Sequence, residues 1–117
     1  MNDRKEKSIE LLQLQLTKLK NIQKIEDGYN RTEVLEWITS TVLILEGIFG
    51  KESLKINEIE KIRNTKIIFS QGLNYYKASA VTMGESILQS CIDQIEKLGI
   101  PSNVKDEGKD KINLTII

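Results

Sequence analysis

Apolar residues recur at helical spacing through most of the first hundred positions. Ile9, Leu12, Leu16 and Leu19 fall three, four and three residues apart, Ile22 and Ile25 prolong the stripe, and Leu11 and Leu14 widen it. This predicts a first helix over residues 3–26, ended by "EDGYN", where Gly28 suits a left-handed position past the last turn. Leu35, Ile38, Val42, Leu45 and Phe49 mark a second helix. Asn30 and Glu33 make a capping-box-like start, and Gly50 makes the stop. Val34, Leu43, Ile44 and Ile48 broaden its apolar arc, so this helix is expected at the centre. Ile56, Ile59 and Ile62, behind a possible Ser53 cap, predict a short helix at 54–64. "TKIIFSQG" reads as a loop or brief extended piece, with Ile67, Ile68 and Phe69 plugging the edge of the core. Ala80, Gly84, Ile87, Cys91, Ile95 and Leu98 share one face of a last helix from about Leu73 to Leu98, closed by Gly99 and Pro101.

Beyond Pro101 the pattern changes. "PSNVKDEGKDK" is charged and non-periodic, a linker composition, and Ile112, Leu114 and Ile116 then alternate with polar residues as in a strand. That ending either adds to a sheet, in this chain or another, or leads into a further part. No internal repeat stands out. The fold class expected is therefore all-α: a bundle of three long helices and one short one over residues 1–100, with a charged linker and strand-like tail over 101–117.

Composition narrows the function. Seventeen basic side chains balance seventeen acidic ones, so the net charge is zero and the electrostatic footprint of a nucleic-acid binder is missing. A length of 117 residues gives one domain with a modest core. No run of apolar residues is long enough for a membrane span. The single cysteine, Cys91, rules out an internal disulfide and fits a cytoplasmic protein.

Candidate chemistry is sparse. Histidine is absent, which excludes histidine-based triads and metal sites. Cys91 lies on an apolar face, where a thiol acts as a small hydrophobe. Glu33 with Glu36, and Asp93 with Glu96, are spaced to share a helix face. Two such pairs facing each other would suit a magnesium-dependent nucleotide pyrophosphohydrolase. Tyr75, Tyr76 and Lys77 offer rings and a cation that would stack on a base, the basis of an alternative reading as a sponge for a nucleotide signal. Trp37 either covers the core beside the first helix or joins a partner surface.

"EVLEWITSTVLILEGIFGKES", with Trp37, Leu45, Phe49, Gly50 and Ser53, resembles the N-terminal helical region of bacterial abortive-infection and TIR-like predicted nucleotide-binding proteins. "GLNYYKASAVTMGESILQSCIDQIEKLGIP" is similar to the closing helix of that region, so the resemblance spans roughly residues 5–101. It implies a helical module that serves phage defence by self-association or by docking a partner, with a fused or separate effector or sensor domain as a further partner, and it transfers no catalytic residue. The function expected is a non-enzymatic oligomerisation module without cofactors. Leu11, Leu14, Val34, Trp37 and Ile44 are its candidate partner-binding residues, and a dimer is its first assembly.

Overall fold

The computed structural model describes residues 3–101. Its elements are α1 (Asp3–Lys20), β1 (Lys24–Ile25), β2 (Gly28–Asn30), α2 (Arg31–Phe49), α3 (Leu54–Arg63), β3 (Ile67–Ser70), β4 (Leu73–Lys77) and α4 (Ala78–Leu98). The all-α expectation is overturned: four helices carry a four-stranded antiparallel sheet in the order β1-β2-β4-β3. The linker and strand-like tail expected after Pro101 lie outside the described residues.

Two hairpins account for the difference. The first helix ends at Lys20, six residues short of the expected end, because Ile25 and Gly28 close a two-residue turn with Glu26 at φ 56°. Gly28 is a strand residue there, not a helix cap. The second hairpin takes "TKIIFSQG" as β3 and removes "LNYYK" from the last helix as β4, around a turn with Gln71 and Gly72 both at positive φ. That is the backbone of the hairpin turns whose twist suits antiparallel strands. The remaining boundaries follow the sequence signals. Asn30 Oδ1 accepts from the Glu33 N–H at 2.9 Å, and Ser53 Oγ accepts from Lys55 N–H. Gly50 and Gly99 cap α2 and α4 at positive φ. Glu33 does not complete a capping box; its carboxylate accepts from the Gln23 N–H at 2.9 Å and ties the end of α1 to the start of α2.

The helices form a ring in which α1 and α3 each pack against both α2 and α4. The architecture repeats: α1-β1-β2-α2 is followed by α3-β3-β4-α4. The sheet is symmetric about the β2–β4 pair, where Tyr29 lies opposite Tyr76. Aligning those two tyrosines lays Val34 on Val81, Ile44 on Cys91, Leu45 on Ile92 and Ile48 on Ile95, and every one of these side chains is buried. The fold is thus doubled although the sequence shows no repeat.

Two other equivalent positions carry unlike residues. Trp37 aligns with Gly84, and the two meet at the middle of the ring, where a Cβ on Gly84 would lie 3.0 Å from the indole. Gly28 aligns with Tyr75, whose ring covers it. In both places one half supplies an aromatic ring and the other supplies the space. The indole Nε1–H donates to the Gln15 carbonyl at 2.8 Å, and the Gln15 side chain donates to Thr41 Oγ1 at 2.8 Å and Ser40 Oγ at 3.1 Å. Gln15 and Thr41 are buried, so this network removes the cost of placing unpaired polar atoms in the core.

Gly28→Ala should cost at least about 1–3 kcal/mol, because its methyl would meet the Tyr76 carbonyl and the Tyr75 ring, and backbone cannot step aside as a side chain can. Ser8→Ala should be neutral or stabilising by up to about 1 kcal/mol, since the buried Ser8 hydroxyl has no partner to lose. Urea denaturation of the two variants checks both signs.

Candidate functional site

Most of the residues singled out from sequence lie inside the fold. Val34, Trp37 and Ile44 are core residues with almost no exposed surface, because the doubled ring covers α2 from several sides. Trp37 therefore takes the first of its two expected places, beside α1. Leu11 is half-buried against the same core, and Leu14 alone of the five is well exposed, at 45%. The five residues do not form one surface.

Tyr75 and Tyr76 are adjacent in β4 and point to opposite faces of the sheet. Tyr76 enters the core, and its hydroxyl donates to the Arg63 carbonyl at 2.9 Å. Tyr75 lies on the outer face over Gly28, with its hydroxyl donating to Asp27 Oδ1 at 3.2 Å. Both are buried, so neither presents a free ring for a base, while Lys77 is exposed at the start of α4. Desolvation raises the pKa of both phenols; Asp27 adds to the rise at Tyr75, whereas Arg31 and Arg63 oppose it at Tyr76.

The paired carboxylates do not converge. The symmetric β2–β4 pairing starts α2 and α4 side by side at the sheet. Glu33 and Glu36 are in the opening turns of α2, whereas Asp93 and Glu96 are in the closing turns of α4, about 20 Å further along the axis at 1.5 Å per residue. Among the described residues, no group of three or more histidine, cysteine, aspartate or glutamate side chains is placed to hold a metal ion.

Among the described residues, open grooves line the outside of the ring. One, of about 750 Å³ between α3 and α4, is lined by Ser79, Thr82, Ser86 and Ser90 from α4 and by Lys55, Glu58 and Lys61 from α3. Lys55 Nζ donates to Ser90 Oγ at 3.5 Å. The other, of about 400 Å³ along α2, is more apolar and includes Leu35 and Leu43. The alignment of the two halves superposes the grooves, laying Thr32 on Ser79 and Thr39 on Ser86. They are one structural feature built twice, with different side chains.

No protein-family model matches the chain, and no curated protein or solved structure does either. The geometry alone therefore identifies the site. Among the described residues, no helix is long and apolar enough to cross a membrane.

The feature that sequence reasoning missed is an edge of the sheet that is open among the described residues. β3 lies at that edge, and Phe69 in it is 76% exposed. Leu73, across the turn, is 42% exposed. Ile67 and Phe69 share the helix-facing side with Tyr76, while Ile68 shares the outer face with Tyr75 and Leu73. The hairpin thus shows apolar surface on both faces. The signal was present in "KIIFSQGLNYY": β-branched and aromatic residues on either side of a Gln-Gly turn.

Cys91 is wholly buried, and desolvation pushes its pKa up to about 11 against a weaker opposing pull from Lys55. A thiol that ionises near pH 9 when unfolded and near 11 when folded stabilises the fold below pH 9, and that contribution is lost as the pH climbs to 11. Denaturation midpoints should therefore hold up to about pH 9 and fall above it. The loss attributable to Cys91 should be on the order of 3 kcal/mol, and the decline should be shallower in Cys91→Ala.

Proposed function

We propose that the chain is a non-enzymatic protein-interaction module that self-associates, with a dimer as its first assembly. The observation that carries this reading is the β3–β4 hairpin, which presents Phe69 and Leu73 to water beside a strand edge that no strand among the described residues pairs with. An exposed apolar edge strand is a template for pairing with another chain. Covering its side chains removes apolar area from water at roughly 25 cal/mol per Å². The buried tyrosines and separated carboxylates give no comparable support to a nucleotide sponge or a pyrophosphohydrolase. The setting within a bacterial phage-defence or signalling protein rests on the resemblance carried by Trp37, Phe49, Gly50 and Ser53. In this fold Trp37 and Phe49 serve the core, and Gly50 and Ser53 serve the turn between α2 and α3.

Sedimentation velocity over a dilution series tests the reading. A reversible shift between one-chain and two-chain mass should appear with a dissociation constant in the micromolar range. A particle of single-chain mass up to roughly 500 μM, where even weak specific pairs assemble, would overturn it.

A further inference from the structure

We infer that two copies of the chain join through β3, pairing antiparallel about a two-fold axis at Ile68 to make one continuous eight-stranded sheet. This rests on the self-association proposed above and names its surface. The geometry begins at the turn. The loop Gln71–Gly72 makes Ser70 and Leu73 the pair that closes the hairpin, so that pair exchanges hydrogen bonds. Bonded and non-bonded pairs alternate along an antiparallel ladder, so Ile68 and Tyr75 also exchange bonds, whereas Ile67 and Phe69 direct their N–H and C=O groups away from β4. Those four groups lie on the open edge.

Placing the axis at Ile68 sets Ile67 opposite Phe69 of the second copy, and Phe69 opposite its Ile67. The four outward groups of each copy then satisfy one another in four hydrogen bonds. The same register covers the exposed Phe69 ring with a β-branched side chain on the helix-facing side, a favourable cross-strand pair. The two Ile68 side chains meet on the outer face as a non-bonded pair, the closer of the two kinds.

A self-complementary register without like-charge contacts fits a second copy as the occupant. β3 holds no charged residue, no proline and no bulge, the devices that usually protect an edge. The nearest charge is Lys66, and this register sets it opposite Ser70 of the other copy, so no like charges face each other. Chain edges at β1 offer no such fit: that strand has two residues, one of them Lys24, and leads into Glu26 and Asp27.

The experiment uses the full chain carrying Ile68→Cys, purified reduced and then oxidised gently, with sedimentation of Phe69→Lys in parallel. Cα atoms about 4.5 Å apart in a non-bonded pair lie within disulfide range, and the buried Cys91 does not compete. A covalent dimer should form in high yield from Ile68→Cys and poorly from Lys24→Cys. Phe69→Lys should weaken the dimer by roughly tenfold or more. Its thermal unfolding should match that of the parent chain when both are diluted well below the dimer's dissociation constant, because Phe69 is mostly exposed in the single chain. A chain that dimerises while Ile68→Cys fails to cross-link and Phe69→Lys has no effect overturns this inference and leaves self-association standing. A monomer at every concentration overturns both. So does a monomer whose Ile67 and Phe69 amides resist hydrogen exchange, since another segment of the same chain then occupies the edge.

Discussion

The Trp37 indole is the constraint on which the rest of the molecule depends. It starts on α2, donates its N–H to the backbone of α1 at Gln15, and presses its ring on α4 at Gly84. One side chain thus fixes the separation of three helices. The carbonyl it uses belongs to the residue whose side chain bonds back to Ser40 and Thr41 on α2, so α1 and α2 are joined twice within one turn. A core of leucines and isoleucines alone would tolerate a helix sliding by a residue. A buried donor with one acceptor in reach does not, because a slip would strand it unpaired at a cost of a few kcal/mol.

The same contact explains how a doubled fold avoids crowding on its own axis. Equivalent residues of two related halves meet at the centre, and two rings there would overfill the space. At the Trp37–Gly84 position the first half gives the ring; at Gly28–Tyr75 the second half does. Packing is complementary across the axis because the two sequences have diverged in opposite senses. This accounts for part of the divergence between the halves: Trp37 and Gly84, like Gly28 and Tyr75, must differ where they meet, whereas Tyr29 and Tyr76 pair across the sheet as the same residue.

The helices were legible from the sequence for a physical reason. Eighteen to twenty-one residues give several turns in which the spacing of Leu12, Leu19, Ile38, Leu45, Leu88 and Ile95 can assert itself, and Asn30, Ser53, Gly50 and Gly99 mark the ends. The strands were not legible because they are two to five residues long, too short for alternation to be told from a continuing helix. Ile22 and Ile25 fall three apart, as a helix requires, although one precedes β1 and the other lies in it. The candidate surface suffered in turn. The broad apolar arc placed α2 at the centre, and both α1 and α3 cover that helix, so Val34 and Ile44 are buried within the chain although they were also candidates for a partner surface. Turn chemistry at Gln71-Gly72 was the better guide, for it locates the second hairpin and hence the edge.

The doubling also makes that edge asymmetric. β1 and β3 occupy equivalent places at the two ends of the sheet, and a perfectly repeated chain would have two equal edges and would extend into a fibre. Here one edge is reduced to two residues and hedged by Lys24, Glu26 and Asp27, while the other keeps four residues and no charge. A molecule with one usable edge can pair once and then stop, because two-fold pairing consumes the edge on both partners. The divergence that lets Trp37 fit against Gly84 inside the ring thus has a counterpart at the rim, where unequal edges would limit the proposed assembly to a closed pair.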